Sequence, residues 1–154
     1  MDLPTQLLAQ PDALMLDLVA NSREAAIMGL HAQLAKSPAV KDAPELLHGL
    51  LERAMLAPVC VAMDVALPHA RTTAVERVVI GVARVAAPGV AFDAGHLAVR
   101  LIFMVGTPTQ QVDEYLLAVA AITRLLKADG VHAGLLAAKT GAEFTALLAR
   151  GAKR

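Results

Sequence analysis

Two apolar, β-branched runs in the middle of the chain, residues 78–85 and 99–105, limit the folds open to it more than any other feature. Val78, Val79, Ile80, Val82 and Val85 fill the first, and Val99, Leu101, Ile102, Phe103 and Val105 the second. Each reads as a strand buried within a sheet, because branched side chains pack well on a pleated surface. The segments before and after them carry a helical period. Ala26, Ile27, Leu30 and Leu34 form one stripe, and Leu46, Leu47, Leu50 and Leu51 form another. Strands set among long helices point to a mixed β-sheet covered by helices, in the α/β or α+β class.

A pass along the chain fills in the rest. Residues 13–18 read as a first strand. Asn21 followed by Glu24 resembles a helix-capping start, with the helix running to about residue 36, where Ser37-Pro38 stops it. A second helix spans about 43–55 and carries Arg53 in its last turn. Residues 58–61 and 65–67 read as short extended pieces, 87–89 (Ala-Pro-Gly) as a turn, and 90–93 as a short edge segment. Gly106-Thr107-Pro108-Thr109 is expected to break the second central strand. Helices are then expected over about 111–128, ending at Asp129-Gly130, over 131–138, and over 141–150. With neither an internal repeat nor a low-complexity linker, residues 1–154 read as one domain.

Apolar residues make up 56% of the chain and mean hydropathy is +0.55, so a membrane reading has to be tested. The longest apolar run, residues 56–63, stops at Asp64, well short of the about 20 residues that a spanning helix needs. No direct membrane insertion is expected, and the first residues lack the basic-then-apolar pattern of a signal peptide. Cys60 is the only cysteine, which excludes an internal disulfide and fits a reducing, cytoplasmic setting. Formal net charge is +0, and the only basic cluster is the short Lys153–Arg154 tail, so nucleic acid is not an expected partner.

One segment stands out chemically: Ala66-Leu67-Pro68-His69-Ala70-Arg71. Proline fixes its own φ and restricts the residue before it, so His69 is held on a stiff backbone. A neutral imidazole is a competent nucleophile near neutral pH and can take a phosphoryl group on nitrogen. An arginine suits the charge-stabilising role, because its planar fork matches phosphate oxygens. Taken alone, Pro-His fits a structural histidine better than a reactive one.

The run from Arg53 through Ala66-Leu67-Pro68-His69-Ala70 to Val90-Ala91-Phe92-Asp93-Ala94 resembles the type-2 EIIA family of the bacterial sugar phosphotransferase system, the fructose, mannitol and nitrogen-regulatory class. The likeness extends from about residue 3 to 148. It implies a mixed β-sheet flanked by helices on both sides. It also implies that His69 is the phosphoryl acceptor and that Arg53 approaches the phosphoryl group. The implied donor is the phosphocarrier HPr or its nitrogen-branch relative. The implied acceptor is a cysteine of an EIIB domain, or the phosphorylation state acts on regulatory protein targets. No metal or organic cofactor takes part in that scheme.

The chain departs from the family pattern twice. The family's Ser-Thr-Gly-apolar-Gly-Asn-Gly stretch is replaced by Pro58-Val59-Cys60-Val61-Ala62-Met63-Asp64, without a single glycine. Loss of glycine implies a differently shaped loop with fewer donors facing a phosphate. Tyr115 stands where the family carries a second histidine early in the long C-terminal helix; it can donate one hydrogen bond but supplies no positive charge. Plainer readings stand beside these. Arg53 also reads as a helix-terminal charge, Arg71 as a surface charge rather than a guide for an acidic partner, Asp64 as a turn residue rather than a support for His69, and Cys60 as a small core residue. Tyr115 is open between site and packing. His31, His48, His96 and His132 show no metal-ligand spacing. Two functions follow: a phosphohistidine carrier, or a regulatory binding module phosphorylated weakly or not at all. The absence of fused EIIB or EIIC segments leans towards the nitrogen-regulatory branch.

Overall fold

The computed structural model describes residues 1–153; Arg154 of the basic tail lies outside them. The elements in chain order are α1 (Leu3–Ala9), β1 (Ala13–Leu18), α2 (Arg23–Leu34), α3 (Ala43–Leu56), β2 (Cys60–Ala62), β3 (Val65–Ala66), β4 (His69–Thr72), β5 (Val79–Val85), β6 (Leu101–Pro108), α4 (Val112–Lys127), α5 (Val131–Ala137) and α6 (Gly141–Ala152). The strands form one mixed sheet in the order β1-β5-β6-β3-β2. β4 lies beyond β3 on the same flank of β6.

Helices cover both faces of the sheet, and this explains why the central strands show no polar alternation. Along β5 and β6, Val79, Ala83, Ile102 and Met104 pack against the stripes of α2 and α3. The residues between them, Ile80, Val82, Leu101, Phe103 and Val105, pack against Leu8 of α1, Ala118, Ile122 and Leu125 of α4, Leu135 of α5, and Phe144 and Leu148 of α6. Every residue of both strands is buried. Truncating a fully buried ring such as Phe144 to alanine should cost about 3–5 kcal/mol.

The helix starts are written locally. Ser22, Asp42 and Thr140 each accept a hydrogen bond from the backbone N–H three residues on, so the cap of α2 is Ser22 rather than Asn21. Gly89 turns the chain after Pro88 with φ +99°, and a Cβ there would stand 2.7 Å from the Val99 carbonyl oxygen. Only glycine fits that position.

Two further features differ from the sequence pattern. α1 was not foreseen. Asp2 caps it through the Thr5 N–H and Pro4 sits in its first turn, but seven residues are too few for a clear periodic stripe. More consequentially, Gly106-Thr107-Pro108 does not break β6. The strand continues, and those residues pair in parallel with Ala70, Arg71 and Thr72. The missing Cβ of Gly106 leaves room for Val79 and Leu46, whose carbons lie 3.0 and 3.1 Å from where it would be. Among the described residues, no helix is long and apolar enough to cross a membrane.

Candidate functional site

His69 is the first residue of β4, placed by a break in the pairing along β6. Val65 and Ala66 pair with Leu101 and Ile102, and His69 pairs with Val105. Between them, Leu67 and Pro68 step out of strand geometry. The Leu67 N–H donates to the Val59 carbonyl (2.8 Å), and the Pro68 carbonyl accepts from Val105 N–H (3.0 Å). The break leaves the Leu67 carbonyl free to accept a hydrogen bond from His69 Nδ1, at 3.0 Å. A carbonyl can only accept, so Nδ1 carries the hydrogen in the neutral ring and Nε2 keeps its lone pair. Burial holds the imidazole pKa below its ordinary value of 6.5, more than the Leu67 hydrogen bond raises it, and the charge of Arg53 lowers it further. The ring is thus half-buried, with one tautomer held by a hydrogen bond and its neutral form favoured.

Arg53 reaches the same place from α3. Gly49 makes this possible: a Cβ there would lie 3.1 Å from Ala70 Cβ, so the helix sits close against β4. One turn further on, Arg53 donates through Nη1 to the Ala57 carbonyl at the end of its own helix (3.0 Å). It therefore does what a helix-terminal charge does. It also lines, with His69, both an open groove of about 300 Å³ and a neighbouring recess of about 100 Å³. The two readings of Arg53 are compatible. Arg71 lines the groove as well and donates to the Thr109 carbonyl (3.2 Å), so it is tethered beside the histidine.

Tyr115, in the first turns of α4, packs on His69 with ring centroids 4.6 Å apart and planes inclined at 33°. It lines the recess together with Pro58, Val59, Cys60 and Val61. The stretch that lacks the family's glycines is here a β2–β3 hairpin pairing Cys60 with Ala66. Pro58 has no N–H, so that position of the wall offers a phosphate no backbone donor.

Asp64 does not support His69. It turns the hairpin, and its Oδ2 lies 3.0 Å from Nε2 of His132 on α5. Cys60 is only partly buried, and its thiol is pushed up to about 11 by burial and by the Asp93 carboxylate. The structure also gathers a group that spacing did not reveal: ligand-type atoms of Cys60, Asp93 and His96 lie within 4.8 Å of one another. Asp93 and His96 are three residues apart in a tight turn. Their partner comes from a distant strand, so no local motif signals the cluster.

The family model for the phosphoenolpyruvate-dependent sugar phosphotransferase system, EIIA 2, matches residues 8–151. A fructose-specific EIIA component of that system from Haloferax volcanii is 32% identical over 120 residues, 77% of each chain. The crystal structure of nitrogen regulatory protein IIA-Ntr from Neisseria meningitidis superposes with a TM-score of 0.80 at 18% identity, covering 96% of this chain and 99% of that one. The enzyme IIA of Escherichia coli specific for mannitol, solved in complex with its phosphorylated enzyme IIB, superposes with a TM-score of 0.72 at 22% identity, covering 90% and 95%.

Proposed function

The chain belongs to the EIIA 2 family of the phosphoenolpyruvate-dependent sugar phosphotransferase system and is a phosphoryl-carrying component of that system; on that premise we propose that His69 Nε2 is the atom that carries the phosphoryl group. The observation that carries the reading is the His69 Nδ1 to Leu67 carbonyl hydrogen bond, which leaves Nε2 as the free nucleophile beside Arg53. Nε2 attacks the phosphorus of a phosphohistidine donor of the HPr type. The P–N bond to the donor breaks as the new P–N bond forms. The proton stays on Nδ1, donated to the Leu67 carbonyl, which supports the positive charge that the ring takes on. Arg53 sits where its guanidinium can pair with equatorial phosphoryl oxygens, a role that works by position and charge alone. The Tyr115 hydroxyl supplies a neutral donor in place of a second imidazole.

In the second half of the cycle the phosphoryl group passes to an EIIB cysteine in the cytoplasm. The complex of the mannitol relative with its phosphorylated enzyme IIB supports this choice of acceptor. Leu56 and Val61, 76% and 48% exposed, flank the site on either side and offer apolar contact area to such a partner. A regulatory reading, with residues 1–154 acting as one binding unit on protein targets, is favoured by the glycine-free 58–64 stretch and by Tyr115.

The test is direct. Incubation with phosphoenolpyruvate, Enzyme I and HPr or its nitrogen-branch relative should add about 80 Da to the chain. Peptide mapping should place the addition on His69. No gain with either donor would leave the regulatory reading, which pull-down with the unphosphorylated chain then tests.

A further inference from the structure

We propose that Cys60, Asp93 and His96 form a binding site for a zinc ion on the flank of the phosphoryl pocket. Three chemically different donors converge there: a thiol from β2, and a carboxylate and an imidazole from the 93–96 turn. Their ligand atoms lie within 4.8 Å of one another. A tetrahedral zinc ion needs its ligand atoms about 3.5 Å apart, so closing the site asks for shifts of the order of 1 Å. The turn is already shaped for this. Asp93 Oδ1 accepts from Gly95 N–H (2.9 Å) and lies 2.7 Å from His96 Nδ1, and the backbone closes through Phe92 N–H to the His96 carbonyl (2.9 Å). Asp93 Oδ2 makes no hydrogen bond among the described residues and can turn towards the ion. All three side chains are partly exposed, so an ion has a way in.

The donor set selects the metal. Thiolate with imidazole favours zinc and disfavours magnesium or calcium, which take oxygen ligands. Three protein ligands leave one position for water, the arrangement of an open zinc site. On binding, the thiol proton is released to solvent and the metal–sulfur bond takes its place. Cys60 also lines the recess shared by His69, Arg53 and Tyr115. A bound ion therefore adds positive charge to the wall of that recess.

The experiment titrates the metal-free, reduced full chain with cobalt(II), followed by competition with zinc(II). The expected result is one equivalent bound, with a thiolate-to-cobalt charge-transfer band that zinc abolishes. Cys60→Ser should lose the band. His96→Ala and Asp93→Asn sit in a surface turn, and each should weaken zinc binding by about 10- to 100-fold or more, since removing a direct ligand costs at least what removing its outer support does. Circular dichroism confirms that each variant is folded. Absence of stoichiometric binding, binding without the thiolate band, or binding indifferent to both turn variants would overturn the site. None of these readouts depends on phosphorylation of His69.

Discussion

Arg84 and Arg53 carry the same guanidinium at two ends of the molecule and do opposite things with it. Arg84, on β5, is only 5% exposed. Its donors are spent on the Leu135 and Ala138 carbonyls at the end of α5 (2.9 and 2.6 Å) and on the Asp17 carboxylate (3.2 and 3.3 Å), and it lies 5.9 Å from the centre of the Phe144 ring. Arg53 is half-buried at a groove edge, with a single hydrogen bond to its own helix end among the described residues. A cation whose nitrogens all bond to the fold holds structure together. A cation with donors to spare, beside a histidine of fixed tautomer, is available to a ligand. The two flanks of β6 repeat the contrast. Its pairing with β5 is unbroken from Val79 to Arg84, whereas its pairing with β3 and β4 is interrupted, and the interruption presents His69.

The largest effect that sharpens this contrast is expected at His69 itself. His69→Ala should abolish phosphoryl gain by mass spectrometry and leave the unfolding midpoint close to that of the parent chain. Residual labelling at another residue would break the assignment. Next comes Arg84→Leu, which strands two buried carbonyls. Urea unfolding should show a loss of about 2–4 kcal/mol, while the folded fraction still accepts phosphoryl groups. Arg53→Gln should behave inversely. It should slow phosphoryl transfer about 100-fold in rapid-quench measurements and change stability by less than about 1 kcal/mol. If Arg53→Gln unfolds the chain, or Arg84→Leu leaves it untouched, the division between the two arginines fails.

Smaller effects concern the imidazole. A proton titration of His69 by NMR should show a midpoint below 6.5, because burial and Arg53 both disfavour the charged ring. The unfolded chain then binds more protons than the native one as pH falls through 6.5. That lowers native stability over the same window, and His69→Ala should remove the loss. The smallest change is expected for Tyr115→Phe, which keeps the ring contact and removes the hydroxyl. A few-fold slower transfer with unaltered stability would assign the hydroxyl a part in the site, and an unaltered rate would reduce Tyr115 to packing.

Much of the architecture was readable from residue pattern. The β-branched runs at 78–85 and 99–105, the stripes of α2 and α3, and the stop signals at Ser37-Pro38 and Asp129-Gly130 act locally, and they lie where the elements lie. The Pro-His pair and an arginine in a last helical turn were equally visible as chemistry. α1 was missed because it is short. β6 was cut short because Gly106 and Pro108 weaken a strand only when it stands alone.

The sequence by itself determined which segments bury and which backbone positions stiffen, since these depend on neighbours along the chain. Only the tertiary structure decided that β4 pairs with the end of β6, that Gly49 brings Arg53 up to His69, that Asp64 serves His132, and that Cys60 meets Asp93 and His96. Each of these is a contact between residues far apart in the chain. Such contacts are set by how helices and strands pack, for which no local rule of propensity or spacing carries a signal.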